Sequence, residues 1–240
     1  DYAIMSRLSA YGGVEKIIYI QPPLTMVSLI KYLFGCADTY ASFGWKRVFT
    51  EGLIQRTEKI IIMASFSAAP FCGIKIIDGI NNFITDSLRI FFVKNILSKI
   101  KTNKQVVLWI SNPYFNSKLI GKFGEELVCY NLCEDYIQKH PLSNFRTRLT
   151  IEDDVLSKRA DILLMASVEL VQKKSKLNIN TFLVPNGVDY DNVRLSMAGP
   201  RPADLKDIRP PIIGHIGLIG QHNDFALIKY LAIKRPSWSF

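Results

Sequence analysis

Four short apolar runs follow one another in the middle of the chain: Gln105-Val-Val-Leu-Trp-Ile110, Leu127-Val-Cys-Tyr130, Asp161-Ile-Leu-Leu-Met165 and Thr181-Phe-Leu-Val184. Apolar and polar residues do not alternate along these runs, which is typical of strands that are buried on both faces of a parallel sheet. Longer segments with helical spacing separate the runs. The stretch therefore predicts an α/β fold in which strands and helices alternate.

The rest of the chain continues this alternation. Further strands are predicted at Tyr2–Met5, Lys16–Ile20, Lys59–Met63 and Pro211–Ile216. Helices are predicted over Asp78–Lys101, from Thr150, where Thr-Ile-Glu-Asp resembles a capping box, from Ser167, and over Asp224–Ile233. The whole pattern indicates a Rossmann-like, doubly wound parallel sheet.

One spacing does not suit an intact fold of this kind. Between Met5 and Lys16 the chain is too short for a parallel crossover, which needs roughly a dozen residues or more. Either the first two strands form an antiparallel pair, or residues are missing near positions 7–15. We favour the second explanation, because a glycine-rich loop after a first strand is often poorly ordered.

Glycine and proline mark a domain boundary near Gly199-Pro-Arg-Pro202, and Pro210-Pro211 follows. We expect a first domain over 1–198, a linker over 199–210, and a second domain that starts at 211. The segment 211–240 predicts one strand and one helix, which cannot bury a core of their own. We therefore expect this second domain to be truncated.

Composition excludes several classes of protein. In 240 residues, 48% are hydrophobic and 21% are charged, so disorder and fibrous repeats are excluded. Four scattered cysteines and three dispersed histidines indicate neither a disulfide scaffold nor a metal site. No apolar run reaches the roughly 20 residues of a membrane span, and we expect a cytoplasmic protein.

The net charge of +9 indicates an anionic partner, namely nucleic acid, an anionic membrane or a phosphate-bearing substrate.

Several stretches, read in order, resemble glycosyltransferases of the GT-B fold, above all the bacterial family 4-like enzymes that assemble capsular polysaccharide, teichuronic acid and exopolysaccharide. In the first domain these are Leu108-Trp-Ile-Ser-Asn-Pro-Tyr114, Tyr130-Asn-Leu-Cys-Glu-Asp-Tyr136, Ala160-Asp161 with Ser167 and Leu170, and Val184-Pro-Asn-Gly-Val-Asp189. Ile213-Gly-His-Ile-Gly217, Asp224 and Pro236-x-Trp-x-Phe240 resemble the opening of the donor domain. The resemblance covers about 105–240 by motif and the first hundred residues by architecture alone.

The resemblance implies transfer of a sugar from a nucleotide-diphosphate donor to a glycan or polyprenyl-linked acceptor. No permanently bound cofactor is implied, because the nucleotide sugar is itself a substrate. The first domain would bind the acceptor, and the 240 residues alone are expected to be inactive because most of the donor site would lie beyond them. Asn112, Tyr114, Ser167, Asn186 and Gly187 are expected to line the cleft, since ligands bind outside the carboxyl ends of strands in open α/β sheets.

Glu134 and Asp135 are the candidate catalytic residues. Glycosyl transfer to a hydroxyl group needs a base that takes the acceptor proton, and a carboxylate at the edge of a cleft can serve. The chain departs from the family pattern, because Asn131 and Glu134 stand where the family has aspartates. Of the two candidates we favour Glu134. The alternative is that both carboxylates are solvated and only cap a loop.

Gly217, Gly220, His222 and Asp224 are the candidates for binding the donor diphosphate. Glycines let backbone N–H groups approach a phosphate, and a helix N-terminus adds a favourable dipole. An ordinary strand–helix turn is the alternative explanation for the same residues. His215 lies in the predicted strand Pro211–Ile216, where we expect a hydrogen-bonded core histidine.

The basic surplus has two explanations. Lys94, Lys99, Lys101 and Lys104 near the end of the long helix complement its dipole, which is an ordinary structural role. The second explanation joins this helix to the apolar and basic segment Tyr32–Arg47 and predicts docking on anionic lipid at the inner face of the plasma membrane. Nucleic acid is not expected as a partner, because no nucleic-acid-binding motif is present.

Two other functions stay open at this stage. The first is a non-catalytic α/β module that binds nucleic acid or phosphate, which nucleic-acid binding that weakens with salt would support. The second is a sugar-nucleotide epimerase or dehydrogenase. It is the weaker choice, because the chain lacks G-x-G-x-x-G after its first strand and has no Y-x-x-x-K that starts a catalytic helix.

Overall fold

The computed structural model describes residues 2–67, 74–100, 105–114, 116–139, 143–197, 199–217, 219–220 and 223–240. The chain divides into two compact units, Asp1–Asn186 and Gly187–Phe240. The predicted domain scheme, with its linker at 199–210 and an incomplete second domain, stays a prediction. Lys101, the predicted end of the long helix, and His222 lie outside the described residues.

The first unit holds all seven strands of the described residues. Its elements in chain order are α1 (Tyr2–Ala10), β1 (Ile17–Thr25), α2 (Met26–Leu33), α3 (Thr39–Glu51), β2 (Ile54–Arg56), β3 (Ile60–Ser67), α4 (Lys75–Lys99), β4 (Val107–Ile110), a 3-10 turn (Ser117–Leu119), β5 (Leu127–Leu132), α5 (Tyr136–Lys139), α6 (Ser143–Arg159), β6 (Ile162–Met165), α7 (Val168–Lys174) and β7 (Thr181–Leu183). The second unit holds α8 (Tyr190–Met197), a 3-10 turn (Ala203–Leu205) and α9 (Phe225–Lys234).

The four apolar runs in the middle of the chain form one parallel sheet in the order β4-β5-β6-β7. The core beneath it includes Tyr130, Leu156, Leu163 and Met165, each of which is fully buried. The expected α/β class with parallel strands is confirmed. Strands this apolar are stable here because α6 and the neighbouring strands remove them from water.

A second sheet has the order β1-β3-β2, with β1 parallel and β2 antiparallel to β3. Val93 and Ile96 of α4 pack on Ile61 and Met63 of β3. The strands predicted at Lys16–Ile20 and Lys59–Met63 are therefore confirmed. Among the described residues the two sheets are separate, so the strands do not form the single doubly wound sheet that we expected. The GT-B arrangement stays a prediction.

Two predicted strands are wrong. Tyr2–Met5 is part of helix α1, in which Ile4, Met5 and Leu8 share one face and Met5 is buried. The argument for missing residues near 7–15 thereby loses its premise, because no strand precedes β1 in the described residues. Pro211–Ile216 makes only an isolated bridge between Ile212 and Ser239. A lone extended segment without a neighbouring ladder does not form a sheet.

Helix starts were predicted with mixed success. Ser167 caps α7 and Asp224 caps α9, each accepting a hydrogen bond from the backbone N–H three residues later, as expected. The helix predicted from Thr150 instead begins at Ser143, and the hydroxyl of Thr150 bonds back to the carbonyl of Arg146 inside that helix. The capping-box pattern was misleading because such residues also occur inside helices when their hydroxyl finds a carbonyl.

The apolar and basic segment Tyr32–Arg47 is not one continuous surface. Trp45 is buried, its Nε1–H donates to Ser28 Oγ at 2.9 Å, and its ring packs on Phe66. Phe34 and Phe43 are exposed. The indole of Trp45 therefore belongs to the core that joins α2, α3 and β3. In the described part of the chain, no helix is long and apolar enough to cross a membrane.

We expect Leu156→Ala to lower the free energy of unfolding by about 2–5 kcal/mol, because it opens a cavity beneath the four-stranded sheet. Leu183→Ala is the matched control, since Leu183 is 47% exposed at the end of β7. The free energy of unfolding of Leu183→Ala should differ from that of the wild type by no more than about 0.5 kcal/mol. Denaturant titration of both variants checks the prediction, and equal losses would contradict the placement of the core.

Candidate functional site

The carboxyl ends of β4, β5 and β6 meet at one edge of the parallel sheet. Asn112 and Tyr114 follow β4, Glu134 and Asp135 follow β5, and Ser167 follows β6. Because the strands are parallel and adjacent, the loops that carry these predicted site residues lie along the same edge. This edge is the candidate functional site.

Asn112 holds the loop after β4. Its Oδ1 accepts hydrogen bonds from the backbone N–H of Tyr114 at 3.1 Å and from Nδ2 of Asn116 at 3.0 Å. This turn places the ring of Tyr114 edge-on to the ring of Tyr136, with centroids 5.6 Å apart, and beside the buried ring of Phe145. Asn112 is thus a positioning residue, and Tyr114 is the residue that it presents.

Tyr114 and Tyr136 are two phenols close to the negative charge of Glu134. Burial, followed by the charge of Glu134, raises the pKa of Tyr136 to about 12. The same two causes raise the pKa of Tyr114. Both hydroxyl groups therefore keep their protons at neutral pH, so they can donate hydrogen bonds to a ligand.

The carboxylate of Asp135 caps a helix and forms an ion pair. Its Oδ1 accepts from the backbone N–H groups of Ile137 and Gln138 at 3.1 and 3.2 Å, which caps α5. Its Oδ2 lies 3.4 Å from Nζ of Lys173 on α7. Asp135 is thus engaged in a helix cap and an ion pair. The catalytic roles expected of Glu134 and Asp135 stay predictions.

A small cavity of about 10 Å³ lies between β5, α5 and α7. Glu134, Asp135, Tyr136, Asp153, Lys173 and Lys174 contribute to its wall. The space holds about one water molecule, which is too little for a sugar. A larger ligand would have to bind on the outer side of these loops, where Tyr114 is 40% exposed.

Beneath this cavity lies a buried network that the sequence analysis missed. Lys174 is 1% exposed and forms an ion pair with Asp153, and the hydroxyl of Tyr130 donates to Asp153 Oδ1 at 2.7 Å. Burial, followed by the charge of Asp153, raises the pKa of Tyr130. A signal was present, since Asp153 shares helical spacing with Leu149, Leu156 and Ala160 and so lies on the buried face of α6.

The remaining candidates of the first domain do not line this cavity. Ser167 Oγ accepts from the backbone N–H of Leu170 at 3.3 Å and so caps α7, the helix that carries Lys173. Asn186 and Gly187 are exposed in the segment after β7. The φ of Gly187 lies outside the left-handed region. Tyr114, Glu134 and Asp135 are the predicted residues that the structure brings together, around Tyr136.

In the second unit, Gly217, Gly220 and Asp224 lie on one short loop before α9. Gly217 has a φ of +150°, which favours glycine. The backbone N–H of Gly220 donates to Asn223 Oδ1 at 2.8 Å, and Asp224 caps α9 by accepting from Leu227. Phosphate binding by these residues stays a prediction. His215 is exposed rather than in a core, because its segment forms no strand ladder.

Among the described residues, no group of three or more His, Cys, Asp or Glu side chains is arranged to hold a metal ion. No family model matches the chain, and no curated protein shows significant sequence similarity to it.

We expect Lys174→Met to lower the free energy of unfolding by about 3–5 kcal/mol, because Asp153 would stay buried without its cation. Lys173→Met is the matched control, since Lys173 is about half exposed and its ion pair with Asp135 is wider. That variant should lose less than about 1 kcal/mol. Denaturant titration of the two variants makes the comparison, and a small loss for Lys174→Met would refute the role given to the network.

The raised pKa of Tyr136 predicts that the folded chain loses stability at alkaline pH. Its pKa is about 12 in the folded chain against 10.0 for the ordinary value. Below pH 10 the phenol keeps its proton in both the folded and the unfolded state, so its contribution to stability is fully present there. As pH rises from about 10 to about 12, only the unfolded state has lost the proton, and stability falls.

The Tyr136→Phe variant should show a shallower fall over that pH range than the wild-type chain. Unfolding measured at several alkaline pH values for both proteins makes the test. Lysines that deprotonate in the same range affect both chains alike, so only the difference between the two slopes counts. Identical slopes would contradict the raised pKa of Tyr136.

Proposed function

We propose that the chain belongs to a glycosyltransferase that moves a sugar from a nucleotide-diphosphate donor to a glycan or lipid-linked acceptor in cell-surface polysaccharide synthesis. One observation carries the proposal. The carboxylate of Glu134 follows β5 at the carboxyl edge of a parallel sheet, next to the phenols of Tyr114 and Tyr136. Ligands of α/β folds bind at such edges, and a carboxylate there suits the removal of a proton from a hydroxyl group.

The residues then take separate roles in the transfer. Glu134 accepts the proton of the acceptor hydroxyl as its oxygen bonds to the anomeric carbon of the sugar, and the bond from that carbon to the diphosphate breaks. Tyr114 and Tyr136 donate hydrogen bonds and offer ring faces to the acceptor. Asp135 keeps α5 in place through the cap and its ion pair with Lys173. Tyr114 is in turn oriented by Asn112.

We assign the donor diphosphate to the loop of the second unit that holds Gly217, Gly220 and Asp224. The support is the sequence resemblance together with the left-handed backbone of Gly217, which a side chain would strain. Gly220 would have to exchange its hydrogen bond to Asn223 for one to phosphate. No permanently bound cofactor is part of the proposal.

The test is a comparison of two glutamates at opposite ends of one strand. In the protein that carries this chain, Glu134→Gln should lower the rate of sugar transfer by about 10²–10⁴-fold while acceptor binding persists, because the base is lost and the shape is kept. Glu126→Gln is the control, since Glu126 is exposed just before β5 and bonds only Gln105 among the described side chains. Its rate should stay near that of the wild type.

Asp135→Asn adds a second comparison. We expect a smaller loss of rate than for Glu134→Gln, because Asp135 acts through α5 rather than on the proton. Near-normal transfer by Glu134→Gln would remove Glu134 as the base. Binding of nucleic acid that weakens with salt, with no binding of any nucleotide sugar, would instead support the non-catalytic binding module.

A further inference from the structure

A cavity of about 440 Å³ lies between α4, the 3-10 turn Ser117–Leu119 and the end of α6. We call it the α4 cavity. It shares no described residue with the small cavity at the carboxyl edge of the parallel sheet. An apolar wall and a few charged groups are combined in its lining, which includes Phe83, Ile90, Ile120, Asp86, Lys118 and Lys122. A hollow of this size and composition suits a small-molecule ligand.

Asp86 contributes a buried carboxylate to the wall. Its side chain is 7% exposed, and its Oδ2 has no hydrogen-bond partner among the described residues. Its Oδ1 lies 3.6 Å from Nη1 of Arg89, which is longer than a hydrogen bond. Burial raises the pKa of Asp86, although the positive charges of Arg89 and Lys118 oppose that rise. A carboxyl group turns readily about its last side-chain bond, so Asp86 can still accept a hydrogen bond from a ligand.

Lys118 and Lys122 bring positive charge to the same cavity. Both residues are exposed, and in the described part of the chain neither forms a salt bridge with a carboxylate. Lys118 is close enough to act on the pKa of Asp86, yet the two side chains form no ion pair. A negative and a positive group therefore line one cavity without contacting each other.

Hydrogen bonds hold both walls of the α4 cavity in place. Arg159 ties the 3-10 turn and the residue after it to α6, since its guanidinium donates to the carbonyl oxygens of Ser117 and Ile120 at 3.1 and 3.3 Å. On the other side, Arg89 fixes α4 to β3, because its Nε donates to Ser65 Oγ at 2.8 Å. A cavity with walls that are already ordered costs a ligand less entropy on binding.

We propose that the α4 cavity binds a small zwitterion with an apolar body, which is the chemistry of an α-amino acid with a large apolar side chain. The ammonium group of the ligand donates to the carboxylate of Asp86. Its carboxylate accepts from the ammonium groups of Lys118 and Lys122, and its hydrocarbon packs on Phe83 and Ile90. Hydrogen bonds between charged groups are about twice as strong as neutral ones. The site does not depend on the proposed transferase activity.

The groups in the wall favour a zwitterion over a simple anion or a simple amine. Asp86 needs a hydrogen-bond donor, which a simple carboxylate ion does not carry. Lys118 and Lys122 need an acceptor with negative charge, which a simple amine does not carry. An α-amino acid holds both groups on one carbon atom, so it can contact the two sides of the cavity at once.

The first experiment titrates the 240-residue chain with L-phenylalanine in a calorimeter. We expect L-phenylalanine to bind at least about tenfold more tightly than 3-phenylpropanoate, which has the same body without the ammonium group. The same margin is expected over 2-phenylethylamine, which lacks the carboxylate. Each analogue leaves one charged side of the cavity without a partner. No binding of L-phenylalanine, or equal binding of either analogue or of inorganic phosphate, would overturn the proposal.

Surface variants then place L-phenylalanine in the α4 cavity without disturbing the core. Lys118→Gln and Lys122→Gln should each weaken its binding about two- to fivefold, because an exposed charge pair is lost. Lys176→Gln, on an exposed lysine outside the cavity, should leave the affinity unchanged.

The apolar wall has a matched pair of variants on α4. Phe83→Ala should weaken binding of L-phenylalanine about fivefold or more, because the ligand loses apolar contact area. Phe91→Ala is the control, since Phe91 is 60% exposed against 66% for Phe83 and does not line the cavity. Equal affinities for the two variants would place the ligand elsewhere and overturn the proposal.

Asp86→Asn tests the buried carboxylate directly. It keeps the shape of the side chain and removes its charge, so affinity for L-phenylalanine should fall about tenfold or more. Asp78→Asn is the matched control, because Asp78 is the other buried acid of α4 and pairs with Arg148 at 2.8 Å, outside the cavity. Thermal unfolding checks that both variants fold. Wild-type affinity in Asp86→Asn, or an equal loss in Asp78→Asn, would refute the role given to Asp86.

Discussion

Lys174 and Asp153 form a buried ion pair, and the arrangement of the candidate site depends on it. The pair joins α7 to α6, and the hydroxyl of Tyr130 ties Asp153 to β5. Two charges can stay in such a place only when each satisfies the other and further hydrogen bonds complete the set. With this network intact, Lys173 at the end of α7 stays within reach of Asp135, and the loop after β5 keeps its shape.

The loop after β5 places its two adjacent carboxylates, Glu134 and Asp135, in different surroundings. Asp135 accepts hydrogen bonds from two backbone N–H groups at the start of α5 and pairs with Lys173. Glu134 lies by the phenols of Tyr114 and Tyr136, whose pKa values its charge helps to raise. Of two acids adjacent in the sequence, Asp135 thus anchors α5, and Glu134 stays the proposed base.

The sequence predicts the strands well where burial alone determines the structure. The runs at 105–110, 127–130, 161–165 and 181–184 became neighbouring strands, and the two central strands of that sheet are the most buried. Tyr2–Met5 and Pro211–Ile216 were wrong because short apolar runs suit helices and strands equally until partners are known. Lys174 was missed for a related reason: its burial depends on Asp153, a partner 21 residues away, rather than on its neighbours in the chain.

Helix α4 shows why a periodic pattern alone does not say which face is covered. Its broad apolar face is the obvious candidate for the core, yet the structure places Asn81 and Arg89 against β3 and leaves Phe83 and Phe91 outside. The polar side of α4 faces the sheet because the hydroxyl groups of Ser65 and Ser67 at the end of β3 need hydrogen-bond partners, which only a polar helix face supplies. Hydrocarbon is then left outward, and its burial does not contribute to the stability of the fold.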